Sequence, residues 1–446
     1  MKKILSFFAV LLLIVLIYFR IAIYPQLDII TGFSAKSVAS GHFIDGRSLE
    51  TIQQGDNDID KVDWATNTIE ENKKIASSKV YGLKERKAIY REGLGATLIS
   101  DDFDVTQPYL VPKRNKTDTG LAFPYGQKNH KDTVFSNIDY KKLNAIVENA
   151  FDKKGEKNKR TRSVLVIYKD KIIAEKYADG FDKNSKILGW SMTKSLTATY
   201  FGILQKQGKI DIMKPAPIKE WRNDERKNIT LNDLLHMNSG LEWEEDYNKI
   251  SDVTKMLFQA KDMTVCQIHK PLVGKPNATW NYASGTTNLL SGILRKQFKK
   301  HQDYLDFWYA ALIDKIGMHS MIVETDMSGN YVGSSYSWAT TRDWAKFGLL
   351  YLHKGHWNGE QIFEERWAQY VATPTNTSNG KYGAHFWLNA NGDFPDVPRD
   401  FYRCSGYQGQ MVAIFPSHDL VIVRMGLSEE FDFNGLLSGV IGSIRN

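Results

Sequence analysis

The first hydrophobic pattern in the chain is continuous rather than periodic. Lys2 and Lys3 precede an apolar run from Ile4 to Phe19, Arg20 interrupts it, and Ile21 to Tyr24 resume it. If Arg20 extends its charge to an interface, the segment is about 20 residues long, enough to cross a bilayer as a helix. A cleaved signal peptide needs a small-x-small site just after such a run. The nearest candidates, at Ser34-Ala35 and Val38-Ala39-Ser40, lie well downstream. The pattern therefore predicts an uncleaved membrane segment over residues 1–24. The two leading lysines put the rest of the chain on the extracytoplasmic side, periplasmic or extracellular.

Residues 25–139 show weaker patterning and read as an N-terminal extension or small β-containing subdomain. Gly55–Asp63 has loop composition. Strand-like stretches fall at Lys74–Tyr81, Glu85–Tyr90 and Gly95–Ser100, and Val105–Asp132 reads as a long connection. From residue 140 the signal sharpens. Helical spacing covers Tyr140–Phe151. Two strand runs, Ser163–Tyr168 and Ile172–Tyr177, flank a turn, and a helix pattern runs from Ser191 to Gln207. A second hairpin, Gln410–Phe415 with Leu420–Met425, and a closing helix over Phe433–Ile444 end the chain. Strands near both ends with helices between them predict an α/β domain of the α+β kind over 140–446. It would be an antiparallel sheet flanked by helices, with an all-helical region.

Composition narrows the function classes. With 42% hydrophobic and 24% charged residues, most of the chain can fold around a core. The formal charge of +7 is scattered, and its densest run, Lys153–Arg162, is broken by Gly155 and Glu156. It reads as a solvated loop, so no nucleic-acid partner is expected. The only cysteines are Cys266 and Cys404. They form neither a disulfide framework nor a zinc-binding spacing, and no metal or cofactor is expected. A single bridge between them and two buried free thiols are both open.

Three short motifs could carry chemistry. Ser191-Met192-Thr193-Lys194 is an S-x-x-K at a predicted helix start, which puts Lys194 one turn from Ser191. A serine hydroxyl needs a base, and a lysine serves when burial leaves it neutral. Free backbone N–H groups at the helix start can hold an oxyanion. Tyr282-Ala283-Ser284, before a second helical run, offers a tyrosine for proton relay. Cys404-Ser405-Gly406-Tyr407 leads into the last hairpin, where glycine lets a substrate approach the backbone. Each has a bland alternative: an N-cap with a solvated lysine, a core tyrosine, and a glycine-rich turn.

In this order, the motifs resemble the serine β-lactamase and penicillin-binding-protein superfamily, most closely class C β-lactamases and their esterase and amidase relatives such as 6-aminohexanoate-dimer hydrolase. Leu234-Leu235-His236-Met237-Asn238-Ser239-Gly240-Leu241 is similar to that group's L-L-x-H-x-S-G-L segment, with Met237 where many relatives carry His. Gly208–Asp211 resembles its G-x-L-D step, and Ala339–Gly348 its A-x-x-x-D-x-A-x-F-G helix. The resemblance implies that Ser191 is acylated, that Lys194 and Tyr282 exchange the proton, and that the N–H groups of Ser191 and Tyr407 hold the oxyanion. Ser284 stands where many relatives carry a substrate-orienting Asn. Cys404-Ser405-Gly406 stands where penicillin-binding enzymes carry Lys-Thr-Gly. The missing lysine favours an esterase or amidase acting on small-molecule or peptide-like substrates over efficient β-lactam hydrolysis. Arg403 could restore that charge, but strand alternation turns it away from any site that Cys404 faces.

The competing reading is a membrane-anchored binding protein that has lost turnover. His236 and His385 are expected to be packed, hydrogen-bonded residues rather than bases. Trp190, Trp280 and Trp387 are candidates to line a pocket.

Overall fold

The structure, a computed structural model, describes residues 2–117, 119–126, 128 and 133–445. Part of the expected connection over Val105–Asp132, at 118, 127 and 129–132, lies outside the described residues. The chain divides into two compact units. The first comprises Met1–Pro108, Glu244–Met263 and Asp326–Gly329; the second comprises Tyr109–Trp243, Thr264–Thr325 and Asn330–Asn446.

In the first unit α1 (Lys2–Tyr18) continues through a π-helical turn, Phe19–Ile23, into α2 (Tyr24–Asp45). Lys3–Asp45 is one 43-residue helix, and its apolar window is wholly unburied. It is long and apolar enough to cross a membrane or to act as a signal sequence. The sequence reading bounded the apolar segment at Tyr24 and foresaw no helix beyond it, and the reason is physical. The buried face of α2 consists largely of Thr31, Gly32, Ser34, Ala35, Val38, Ala39, Ser40 and Gly41, so no stripe of large apolar residues announces it. Small residues let α2 lie close to its neighbours: a Cβ on Gly32 would meet Phe258 Cβ at 3.1 Å. Four antiparallel strands pack against α2, in the order β1 (Ala65–Glu70), β2 (Ile75–Val80), β3 (Leu83–Arg91) and β4 (Gly95–Ile99). The last three match the expected strands to within two residues, and β1 was not foreseen. Ser34 links helix to sheet: its hydroxyl donates to Asn67 Oδ1 at 2.8 Å and accepts from Asn57 Nδ2 at 2.9 Å, and all three residues are buried.

The second unit is built on a six-stranded antiparallel sheet. Its strands, in chain order, are β5 (Thr161–Tyr168), β6 (Lys171–Tyr177), β7 (Trp387–Leu388), β8 (Tyr402–Gly406), β9 (Gln410–Phe415) and β10 (Leu420–Gly426). Across the sheet they run β7-β8-β9-β10-β5-β6. Lys169 and Asp170, both with positive φ (47° and 61°), make the two-residue turn between β5 and β6. On one face α3 (Tyr140–Asn149) and α7 (Phe433–Ile441) bury Leu143, Val147, Leu436, Leu437 and Val440 against Val164, Val166, Ala413 and Ile422. The other face carries α6 (Thr341–Leu352), where a Cβ on Gly348 would meet Val412 and Val421 at 2.7 and 2.8 Å. Two further helices position the chemistry, α4 (Thr193–Lys206) and α5 (Ser284–Arg295), and both are mostly buried.

Candidate active site

Ser191 lies in a single 3-10 turn, Trp190–Met192, that feeds α4. Trp190 before it has φ +48°, a left-handed conformation that a bulky side chain adopts only under constraint. The constraint is visible on both sides. Gly189 N–H donates to Ser337 O at 2.8 Å. A Cβ on Gly189 would sit 2.2 Å from the Trp344 ring, and a Cβ on Gly406 would sit 2.2 Å from Gly189 O. The end of β8 is thus pressed onto the backbone just ahead of Ser191, and only glycine fits at both positions. The Tyr407 ring stands edge-on to Trp190, with centroids 5.4 Å apart.

Lys194 is 1% exposed. Its Nζ lies 2.8 Å from Ser191 Oγ, 2.9 Å from Ser284 Oγ and 2.9 Å from Ser334 O. The Tyr282 ring centroid is 4.9 Å from the same nitrogen. Ser284 is fully buried at the start of α5, so its hydroxyl meets the lysine. Ser334 had no sequence signal: it contributes a carbonyl, and its N–H is fixed by Asn288 Oδ1 at 3.0 Å, one turn along α5 from Ser284. Met237, set at φ +56°, holds the tyrosine loop. Its carbonyl accepts from Asn281 N–H at 2.9 Å, and its sulfur accepts from Ala283 N–H at 3.2 Å. Tyr282 therefore hangs between two anchored neighbours. Aromatic rings wall it: Trp387 at 5.3 Å and Tyr382 at 5.7 Å, with Trp280 packed on both.

At the sheet edge, alternation along β8 separates Cys404 from Arg403. Cys404 is fully buried on the α4 side, and burial pushes its thiol up to about 12, so it offers neither thiolate nor charge. Arg403 pairs with Trp387 across the ladder and lies among the rings of Trp387, Phe394 and Phe401, at 5.9, 4.6 and 5.6 Å. Since Trp387 also meets Tyr282, the guanidinium is one ring away from the tyrosine. Ser405, half-buried, pairs with Met411 on the same face as Arg403. Cys266 and Cys404 are not joined in a disulfide. Among the described residues no cluster of three His, Cys, Asp or Glu could hold a metal.

A model of the Beta-lactamase family matches residues 147–431. The chain belongs to the beta-lactamase family. It is 23% identical over 309 residues to the 6-aminohexanoate-dimer hydrolase of Paenarthrobacter ureafaciens, covering 63% of this chain and 77% of that protein. Among solved structures it is similar to a family VIII carboxylesterase, with TM-score 0.55, 14% identity, and 68% and 96% of the two chains covered. It is also similar to a mutant class C beta-lactamase, with TM-score 0.52, 13% identity, and 69% and 99% covered. Family and fold thus agree with the resemblance read from the motifs and with the α+β architecture read from the strand and helix pattern.

The histidines of this beta-lactamase-family unit are packed as expected. His385 is buried, with Nδ1 2.6 Å from Leu235 O and Nε2 2.9 Å from Thr287 Oγ1; burial lowers it from 6.5 to about 3. His236, 2.7 Å from Thr375 Oγ1, is lowered to about 4 by burial. A histidine whose folded value is depressed binds its proton more readily when unfolded. Its stabilising effect is complete above about 6.5 and is lost as the pH falls toward the folded value. Thermal unfolding followed against pH should therefore show Tm dropping between about pH 6.5 and 4, with a shallower drop in His385→Asn. An unchanged slope in that variant would remove His385 from the effect.

Proposed function

We propose that this chain is a serine hydrolase that cleaves an ester or amide through an acyl-enzyme on Ser191. The observation that carries this reading is the sealed Lys194 amine 2.8 Å from Ser191 Oγ. A lysine buried away from water is favoured in its neutral form, and a neutral amine can accept the hydroxyl proton. Ser191 Oγ attacks the substrate carbonyl carbon while its proton passes to Lys194 Nζ. The backbone N–H groups of Ser191 and Tyr407 hold the resulting oxyanion. As the tetrahedral intermediate collapses, Tyr282 relays the proton to the departing alcohol or amine. Water then adds to the acyl carbon by the same proton route in reverse and releases the acid. Ser284 and Ser334 O act as positioning groups, because they fix the lysine and need not touch substrate.

The substrate class follows from charge. Cys404 is sealed and neutral, so position 404 carries no cation where penicillin-binding enzymes place the lysine that grips a carboxylate, and Arg403 is held instead among the rings of Trp387, Phe394 and Phe401. The similarity to a carboxylesterase and a 6-aminohexanoate-dimer hydrolase supports esters or linear amides as the bond cleaved. The apolar N-terminal helix supports a membrane anchor, and Lys2-Lys3 ahead of it support an extracytoplasmic hydrolase.

Two measurements test the reading. Ser191→Ala should abolish both turnover and fluorophosphonate labelling, a loss of several orders of magnitude, with the fold intact by circular dichroism. Full activity in that variant would overturn the assignment, whereas a wild-type chain that neither labels nor turns over would favour a binding protein. A short acyl ester should exceed a penicillin in kcat/KM by about ten-fold or more on one preparation, the value of one missing charge-assisted hydrogen bond. Equal rates that collapse for the penicillin alone in Arg403→Gln would show that Arg403 supplies the charge after all.

A further inference from the structure

The place where the first unit meets its apolar helix has a composition that the packing of that unit does not explain. From Ile4 to Ile21 the helix exposes its large apolar side chains; from Phe19 onward it begins to be covered. Phe19, Ile23 and Tyr24, on and just after the π-helical turn, pack against a buried cluster of Leu27 and Ile30 from α2 with Ala65 and Val80 from the sheet. Ala65 opens β1 and Val80 closes β2, and the two are ladder partners. This end of the sheet therefore stands at the level where the helix loses its apolar surface. At about 1.5 Å per residue, Tyr24 is about 30 Å along the helix from Lys3, the thickness of a bilayer's hydrocarbon core.

Three exposed hydrophobics cluster at this level. Trp64 precedes β1 and is 42% exposed; Tyr81, at the tip of the β2–β3 turn, is 80% exposed; Leu83, on its far side, is 41% exposed. Tyr81 and Gly82 both have positive φ, 51° and 75°. The first of these positions suits Asn or Gly, and a bulky residue there is strained. Tyr81 thus occupies an unfavourable backbone position and buries almost nothing in return. Two cations share one ring beside it: the Arg20 guanidinium and the Lys84 ammonium each lie 4.7 Å from the Tyr24 centroid. Among the described residues neither has a carboxylate partner. Tyrosine, tryptophan, arginine and lysine at this depth are what a membrane–water interface selects.

We infer that the β2–β3 turn and Trp64 seat in the headgroup layer of a phospholipid bilayer, and that Arg20 and Lys84, over Tyr24, clamp a lipid phosphate. This rests on the reading that α1 crosses the membrane. Tyr81 and Leu83 bury apolar surface at the boundary, which offsets the turn strain. The two cations gain the counter-charge that the protein does not supply. The opposite end of the sheet, at the β1–β2 turn with Lys73, stands away from the bilayer.

The test uses the full chain in vesicles of phosphatidylcholine and phosphatidylglycerol, with Cys266→Ser removing the accessible native thiol. A polarity-sensitive fluorophore is attached at Tyr81→Cys or, as a control, at Lys73→Cys. Nitroxide lipids labelled near the headgroup should quench the probe at 81 and leave the probe at 73 unaffected. Adding Arg20→Gln and Lys84→Gln should lower quenching at 81 by at least about two-fold. Equal, weak quenching at 81 and 73, with the chain still in the vesicles after an alkaline carbonate wash, would overturn the interfacial seat while leaving the anchor standing. Release by carbonate would overturn the anchor and the seat with it. Quenching that ignores the two glutamines would overturn the phosphate clamp.

Discussion

The placement of one buried nitrogen governs the second unit. Lys194 Nζ is withdrawn from water, and its three polar neighbours come from three separated parts of the chain: Ser191 from the turn before α4, Ser284 from the first residue of α5, and Ser334 from a loop 140 residues beyond the lysine. A buried amine without such partners would cost several kcal/mol. The fold therefore has to bring helix start, helix start and loop together to within a few tenths of an ångström before the lysine can be sealed. Asn288, Met237 and the Gly189–Gly406 approach are consequences of that requirement. They hold, respectively, the loop, the tyrosine and the strand end around the nitrogen.

Much of this was legible in the sequence because the signals are local. Ser191 and Lys194 are one turn apart, the hairpins of β5–β6 and β9–β10 alternate cleanly, and the tyrosine motif precedes a clear helix. What was not legible is non-local or unpatterned. Ser334 contributes only a backbone carbonyl, which no side-chain motif encodes. The ring wall of Trp280, Tyr382 and Trp387 joins residues about a hundred positions apart. Strand alternation correctly put Cys404 and Arg403 on opposite faces, but only the structure shows that the cysteine side is sealed beneath the sheet.

The first unit was harder to read for a different reason. Its central helix packs through Ala, Ser, Gly and Thr, and hydrophobic periodicity measures large side chains. Two of its pieces, Glu244–Met263 and Asp326–Gly329, come from far along the chain, and nothing in their composition marks them as belonging to a unit that began at the N-terminus. The polar trio of Ser34, Asn57 and Asn67 shows that the helix–sheet contact is specified by hydrogen bonds as well as by shape.

The contact between Gly406 and Gly189 also restricts how this site can diversify. With a carbonyl oxygen where a side chain at 406 would begin, and an indole ring where one at 189 would begin, neither position accepts a side chain. Variation near Ser191 must instead enter through Ser405 or the ring wall around Tyr282. A laboratory library aimed at new specificity would waste its diversity on the two glycines and find it at Trp280 and Trp387, which are only half-buried.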